Sequence, residues 1–220
     1  MHPTRRQALE ICGLAAFGKW LIAADRFWNI EDPGQWTPDE IDRLLTRSPW
    51  AREVMVGVIP GGSNDHRPWS ESVPGLSLPG GPAPRGKQRD PKAVRSGQQA
   101  TVCWASAAPV LAATKSPLPE TFRERYTIAV IGLPVPSEQR DKLDDLKQFA
   151  SLRPKGRDLV QPGVVEWQAS SRTLLFGFSR EILPLGKADR EVTFAAKVAR
   201  FEVKASFLLN EMYYRGALAL

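Results

Sequence analysis

Between Glu191 and Leu209 the apolar residues fall on every second position and then change parity. Val192, Phe194, Ala196 and Val198 take the even positions, whereas Phe201, Val203, Ala205, Phe207 and Leu209 take the odd ones. Successive side chains of a strand point to opposite faces, so each run presents one apolar face. A slip of one residue within a continuous strand would turn the second apolar face to water. The parity change at Ala199 and Arg200 therefore predicts a turn or bulge between two antiparallel strands. Such a pair buries one side of a sheet and so calls for a second layer against it.

The same period marks the rest of the chain after Gln99. Ala100–Ala107 places Val102 and Trp104 on one face and Thr101, Cys103 and Ala105 on the other. Tyr126–Leu133 reads as a strand ended by Pro134 and Pro136, and Gly163–Ala169 with Thr173–Ser179 reads as a hairpin around Ser170, Ser171 and Arg172. An earlier strand is expected in Ala51–Ile59. Two helices are predicted. Thr37 caps the first, with Pro38 at its first position, Glu40 completing a capping box, Trp36 and Ile41 as a staple, and a stop at Ser48 and Pro49. Ser137 caps the second, which is expected to run to Leu152, bury Leu143, Leu146 and Phe149, and end before Pro154. The predicted class is mainly β (α+β): an antiparallel sandwich or curved open sheet with two short helices, preceded by an N-terminal signal or anchor helix. No glycine-rich loop follows a strand, which disfavours nucleotide folds of the Rossmann and P-loop kinds.

Residues 59–99 are dense in proline, glycine and serine and lack apolar periodicity, so they read as a disordered or loosely held linker. Its basic cluster, Arg85, Lys87, Arg89, Lys92 and Arg95, has no interleaved aromatic residue for base stacking, and no nucleic-acid partner is expected. Residues 25–58 are expected to pack with residues 100–220 as one domain.

Thr4–Asp25 has the parts of an export signal: Arg5 and Arg6, an apolar stretch over Ala8–Ala24, and small residues before Asp25. The paired arginines are similar to a twin-arginine signal. Glu10 and Lys19 interrupt the run, so neither a stable membrane span nor an ordinary secretory signal fits as well. Two other readings remain open, an uncleaved N-terminal anchor and a surface amphipathic helix. The formal charge is +6, and without residues 1–24, which carry Arg5, Arg6, Lys19 and Glu10, it falls to +4. That excess does not by itself demand an anionic partner. Cleavage would also remove Cys12, leaving Cys103 without a disulfide partner.

Chemistry-bearing side chains are sparse. His66 lies in the linker and Cys103 on a strand between Val102 and Trp104, so a zinc site and a Ser-His-Asp or Cys-His arrangement are disfavoured, and no metal or other cofactor is expected. Carboxylates remain. Asp141, Asp144 and Asp145 would share one face of the second helix, beside Arg140, Lys142 and Lys147. Glu166 alternates with Val164 and Gln168 on a strand and would need a second acid across the sheet for glycosidic chemistry.

The runs WTPDEIDRLLTRSPWA, VCWASAAPV and YTIAVIGLP and the ending EVTFAAKVARFEVKASFLLNEMYYRGALAL resemble a group of uncharacterised exported proteins typical of Acidobacteria. The resemblance covers most of the chain after the signal, apart from the linker. It implies a soil-type bacterial origin and a periplasmic or extracellular setting; it transfers no activity and no functional residue. Two functions follow as expectations. One is a non-catalytic module that binds an envelope protein or glycan through a sheet face or strand edge. The other is an exported, glycan-directed hydrolase using Glu166 or the aspartates.

Overall fold

A computed structural model describes residues 26–59 and 97–220. In chain order the described strands are β1 (Ala51–Met55), β2 (Gly57–Val58), β3 (Gln99–Trp104), β4 (Arg125–Ile131), β5 (Ala150–Pro154), β6 (Val164–Gln168), β7 (Thr173–Ser179), β8 (Glu191–Val198), β9 (Phe201–Leu208), β10 (Tyr213–Tyr214) and β11 (Ala217–Leu218). The α-helices are α1 (Pro38–Thr46), α2 (Ala108–Thr114) and α3 (Ser137–Arg140), with short 3₁₀ segments between elements. Strand order is β1-β3-β4-β7-β6 in a five-stranded sheet and β2-β9-β8-β5 in a four-stranded one, every pairing being antiparallel.

The parity change resolves as a hairpin. Val198 pairs with Phe201, and Ala199 takes φ 53 in the turn. All nine apolar residues of the two runs are buried. They meet the five-stranded sheet through aromatic contacts: Trp104 on β3 stands edge-on to Phe207 on β9 at 5.5 Å, and Phe176 on β7 lies 5.3 Å from Phe194 on β8. The two sheets thus form a sandwich.

The layers are joined at one edge by a single stretch of chain. Met55 of β1 pairs with Gln99 in the first sheet, and two residues later Gly57 of β2 pairs with Glu202 in the second. Val56 stays buried between them and donates its N–H to the Gln98 carbonyl at 2.9 Å. The predicted strand Ala51–Ile59 is therefore two strands with a change of sheet. At the opposite edge the 3₁₀ segment Leu143–Phe149 lies against β6 of one sheet and β5 and β8 of the other, with Leu146 buried. Arg140 helps close this side: its guanidinium stands 5.0 Å from the Trp167 ring while its Nε donates to the Val135 carbonyl.

The second predicted helix is shorter than its sequence pattern implies. It is only α3, four residues long; Lys142 leaves helical geometry at φ −126 and ψ 46, the chain continues as 3₁₀, and Ala150 already begins β5. Packing against two sheets outweighs the weak local helix signal, since a single register over Ser137–Leu152 could not serve both. Helix α2 is an addition to the predicted elements. Its signs are Pro109 in the first turn and Lys115 at φ 51 after the last, neither of which breaks the apolar run visibly.

Helix α1 follows expectation closely. The Glu40 N–H donates to Thr37 Oγ1, and the Glu40 carboxylate accepts from the Thr37 N–H at 2.8 Å, which completes the capping box. These hydrogen bonds, first from the Thr37 backbone and then from its hydroxyl, hold the Glu40 carboxyl below its ordinary pKa, with Arg43 adding to the effect. A lowered folded-state value means that this stabilisation is present above the ordinary glutamate range and is lost as pH falls through the folded value. Thr37→Ala is expected to cost about 1 kcal/mol, or roughly 2–4 °C in a thermal melt. Trp36, Trp50, Phe27 and Trp28 are buried around α1 in successive edge-on contacts. The tryptophans that bracket α1 are core residues, so they offer no sugar-stacking platform. Trp50 also donates its Nε1–H to the Ala219 carbonyl at 2.8 Å, and Arg180 donates to the Leu220 carbonyl at 2.6 Å, which docks β10 and β11 against the core.

No helix among the described residues is long and apolar enough to cross a membrane.

Candidate functional site

Arg5, Arg6 and His66 lie outside the described residues, as does most of the predicted linker. The remaining sequence candidates fall on β6, β3 and the segment that follows α3.

Glu166 sits on β6, an edge strand. Its neighbours Val165 and Trp167 pair with Phe176 and Leu174, whose side of the sheet faces the sandwich interior, so Glu166 points outward. It is half-buried and stands opposite Leu175. The outward positions beside it on β6 and β7 are Val164, Gln168, Thr173 and Gly177, none of them an acid.

The three aspartates do not share a helix face. Asp141 is the C-cap of α3, while Asp144 and Asp145 lie beyond the break in the 3₁₀ segment. All three are exposed, and Asp144 pairs with Lys147 at 2.7 Å. The expected three-acid face is therefore dispersed by the same kink that shortens the helix. Among the described residues no group of three or more His, Cys, Asp or Glu side chains could hold a metal ion.

Cys103 is 3% exposed on the side of β3 that faces α1, where burial pushes its thiol pKa up to about 12. Since the thiolate is the nucleophile, such a thiol is inert near neutral pH. In a Cys12→Ser background, native protein at pH 8 is expected to resist iodoacetamide and to label fully once denatured. The raised folded-state value also sets a sign: burial of the neutral thiol favours folding below the ordinary thiol range, about pH 8.5, and that contribution is lost as pH rises toward the folded value.

A charged depression of about 500 Å³ lies where Thr121–Arg125 meets Ser179–Glu181. Its arginines are committed to structure. Arg123 pairs with Glu120 at 2.7 Å, Arg125 donates to the Thr121 carbonyl, and Arg180 lies 4.4 Å from the Tyr126 ring while holding Leu220.

A further surface open to an interaction is the outward face of the four-stranded sheet. Helix α1 packs on β1 and β3 of the five-stranded sheet and α2 packs on α1, while the Phe122 ring covers β7 at Gly177. The corresponding face of β9, β8 and β5 carries exposed Lys204, Ser206 and Arg153, with Thr193 Oγ1 hydrogen-bonded to Ser206 Oγ at 2.9 Å. The alternation in β9 signals half of this face. Its β5 half, with Ser151 and Arg153, is hidden in the sequence because that segment reads as the end of a helix.

No family model matches the chain, and no curated protein or solved structure matches it.

Proposed function

We propose that the chain is a non-catalytic binding or structural module of a bacterial cell envelope, exported by a twin-arginine signal that includes Arg5 and Arg6, and working in the periplasm or outside the cell. What supports the binding reading is the asymmetry of the sandwich: helices and loops cover one sheet, while the four-stranded sheet turns a polar, regularly spaced face to solvent. Side chains at alternate positions of neighbouring strands stand in rows on such a face, which suits an extended partner. The position of Glu166 adds to it, since its cross-strand partner is Leu175 and not a second carboxylate at the separation of about 5–10 Å that glycoside hydrolysis uses.

Cosedimentation with purified, insoluble cell-wall sacculi tests the reading, with released reducing ends assayed in the same tubes. Binding without release of reducing ends is the expected result. Release that disappears in Glu166→Gln would overturn it in favour of a hydrolase.

A further inference from the structure

We propose that the outward face of the four-stranded sheet docks an acidic polysaccharide, with Lys204 and Arg153 as its two charge contacts; the proposal deepens the module reading and rests on it. Lys204 on β9 stands opposite Ala195 of β8, which in turn pairs with Ser151 of β5. Arg153 lies on the next outward row, opposite Thr193, whose other partner is Ser206. The two cations therefore flank a strip floored by small side chains, with Ala195 and Ser151 buried and two hydroxyls beside them. From ordinary strand spacing and rise, their Cα atoms are about 12 Å apart. An extended polymer with repeated carboxylates spans that separation; a single small anion does not.

Charge on this face is uneven in a way that selects the partner. Glu191 is paired with Lys155 at 3.9 Å, and Glu202 stands directly opposite Lys197. Lys204 and Arg153 make no hydrogen bond or ion pair with the described residues. Acidic side chains are matched and these two basic ones are not, so the strip is locally positive. No aromatic residue lies on the outward positions of β5, β8 and β9, which removes the stacking platform that single-stranded nucleic acids use. Leu208, at one corner, is the large apolar side chain exposed there, too little for the apolar centre of a protein interface. A hydrated, anionic and extended partner fits what remains, with hydroxyls of Thr193 and Ser206 available to sugar oxygens.

The test is a titration of the full chain with sodium polygalacturonate at low and high salt, beside neutral dextran and a single-stranded oligonucleotide of similar charge. Binding to polygalacturonate at low salt, weakened by added salt and absent for dextran, is expected. Lys204→Ala with Arg153→Ala should weaken it by about tenfold, as two exposed charge contacts imply, with the melting temperature essentially unchanged. Unaltered affinity in the double variant, or equal and equally sensitive binding of the oligonucleotide, would overturn the proposal. If polygalacturonate fails while sacculi still carry the protein down, this inference falls and the module reading stands; if neither binds, the module reading falls with it.

Discussion

Trp104→Ala is expected to lower the unfolding free energy by about 3–5 kcal/mol, measured by urea denaturation, the range seen for large aromatic-to-alanine changes in closed cores. Trp104 is fully buried, and its ring meets Phe207 from the other sheet at 5.5 Å and Tyr126 from its own at 5.8 Å. Removing it opens a cavity at the contact between layers, where neither sheet can move in without breaking its own ladder. Against a total stability of about 5–15 kcal/mol for an ordinary domain, the loss is a large fraction. Trp104→Phe should cost much less, because it keeps a ring between Phe207 and Tyr126 and removes an indole N–H that has no hydrogen-bond partner among the described residues. Equal effects of the two substitutions would contradict this role for the indole between the layers.

Gly177→Val acts from the opposite face and by overpacking. A Cβ at this position of β7 would lie 2.9 Å from Phe122 Cδ1 and 3.0 Å from Arg125 Cδ. Phe122 is itself fully buried, so its ring has no free space to enter. The expected cost is about 3 kcal/mol, the upper part of the range for added core volume, with Gly177→Ala intermediate. The reason for the glycine is thus the close approach of a ring rather than backbone freedom, since Gly177 is not among the residues with positive φ. A compensating Phe122→Leu should recover part of the loss; failure of any recovery would place the strain elsewhere.

Strands β8 and β9 are legible in the chain because their burial is largely one-sided, while β4 and β7, buried on both faces, are marked by apolar runs between turn signals. β8 and β9 run for eight residues each, and an apolar period of two sustained that long suits a strand with one buried face and no helix. Capping chemistry locates α1 for a similar reason: Thr37, Pro38 and Glu40 act through local bonds that need no tertiary partner. What is not legible depends on distant packing. β5 is buried at four of its five positions, so it shows no alternation, and Leu143, Leu146 and Phe149 before it mimic a helix stripe. The consequence reaches the candidate site, because that stripe groups the aspartates on a helix that in fact ends at Arg140 and hides Arg153 on a strand. The change of sheet at Val56 is equally silent: buried Val56 and half-buried Gly57 fit either one strand or two. The outward face that carries the functional proposal emerges only when β5, β8 and β9 are paired, through a separation of more than forty residues between β5 and β8 partners such as Leu152 and Phe194.

The proposed compartment, and with it any envelope partner, rests on the proposal that Arg5 and Arg6 direct export. The most direct measurement fuses residues 1–30 to a reporter that is active only after translocation, with and without Arg5→Lys and Arg6→Lys. Activity outside the cytoplasm with the native pair, lost in the double-lysine variant, is the predicted result. Retention of the native fusion inside the cell, or export indifferent to both substitutions, would contradict a twin-arginine signal.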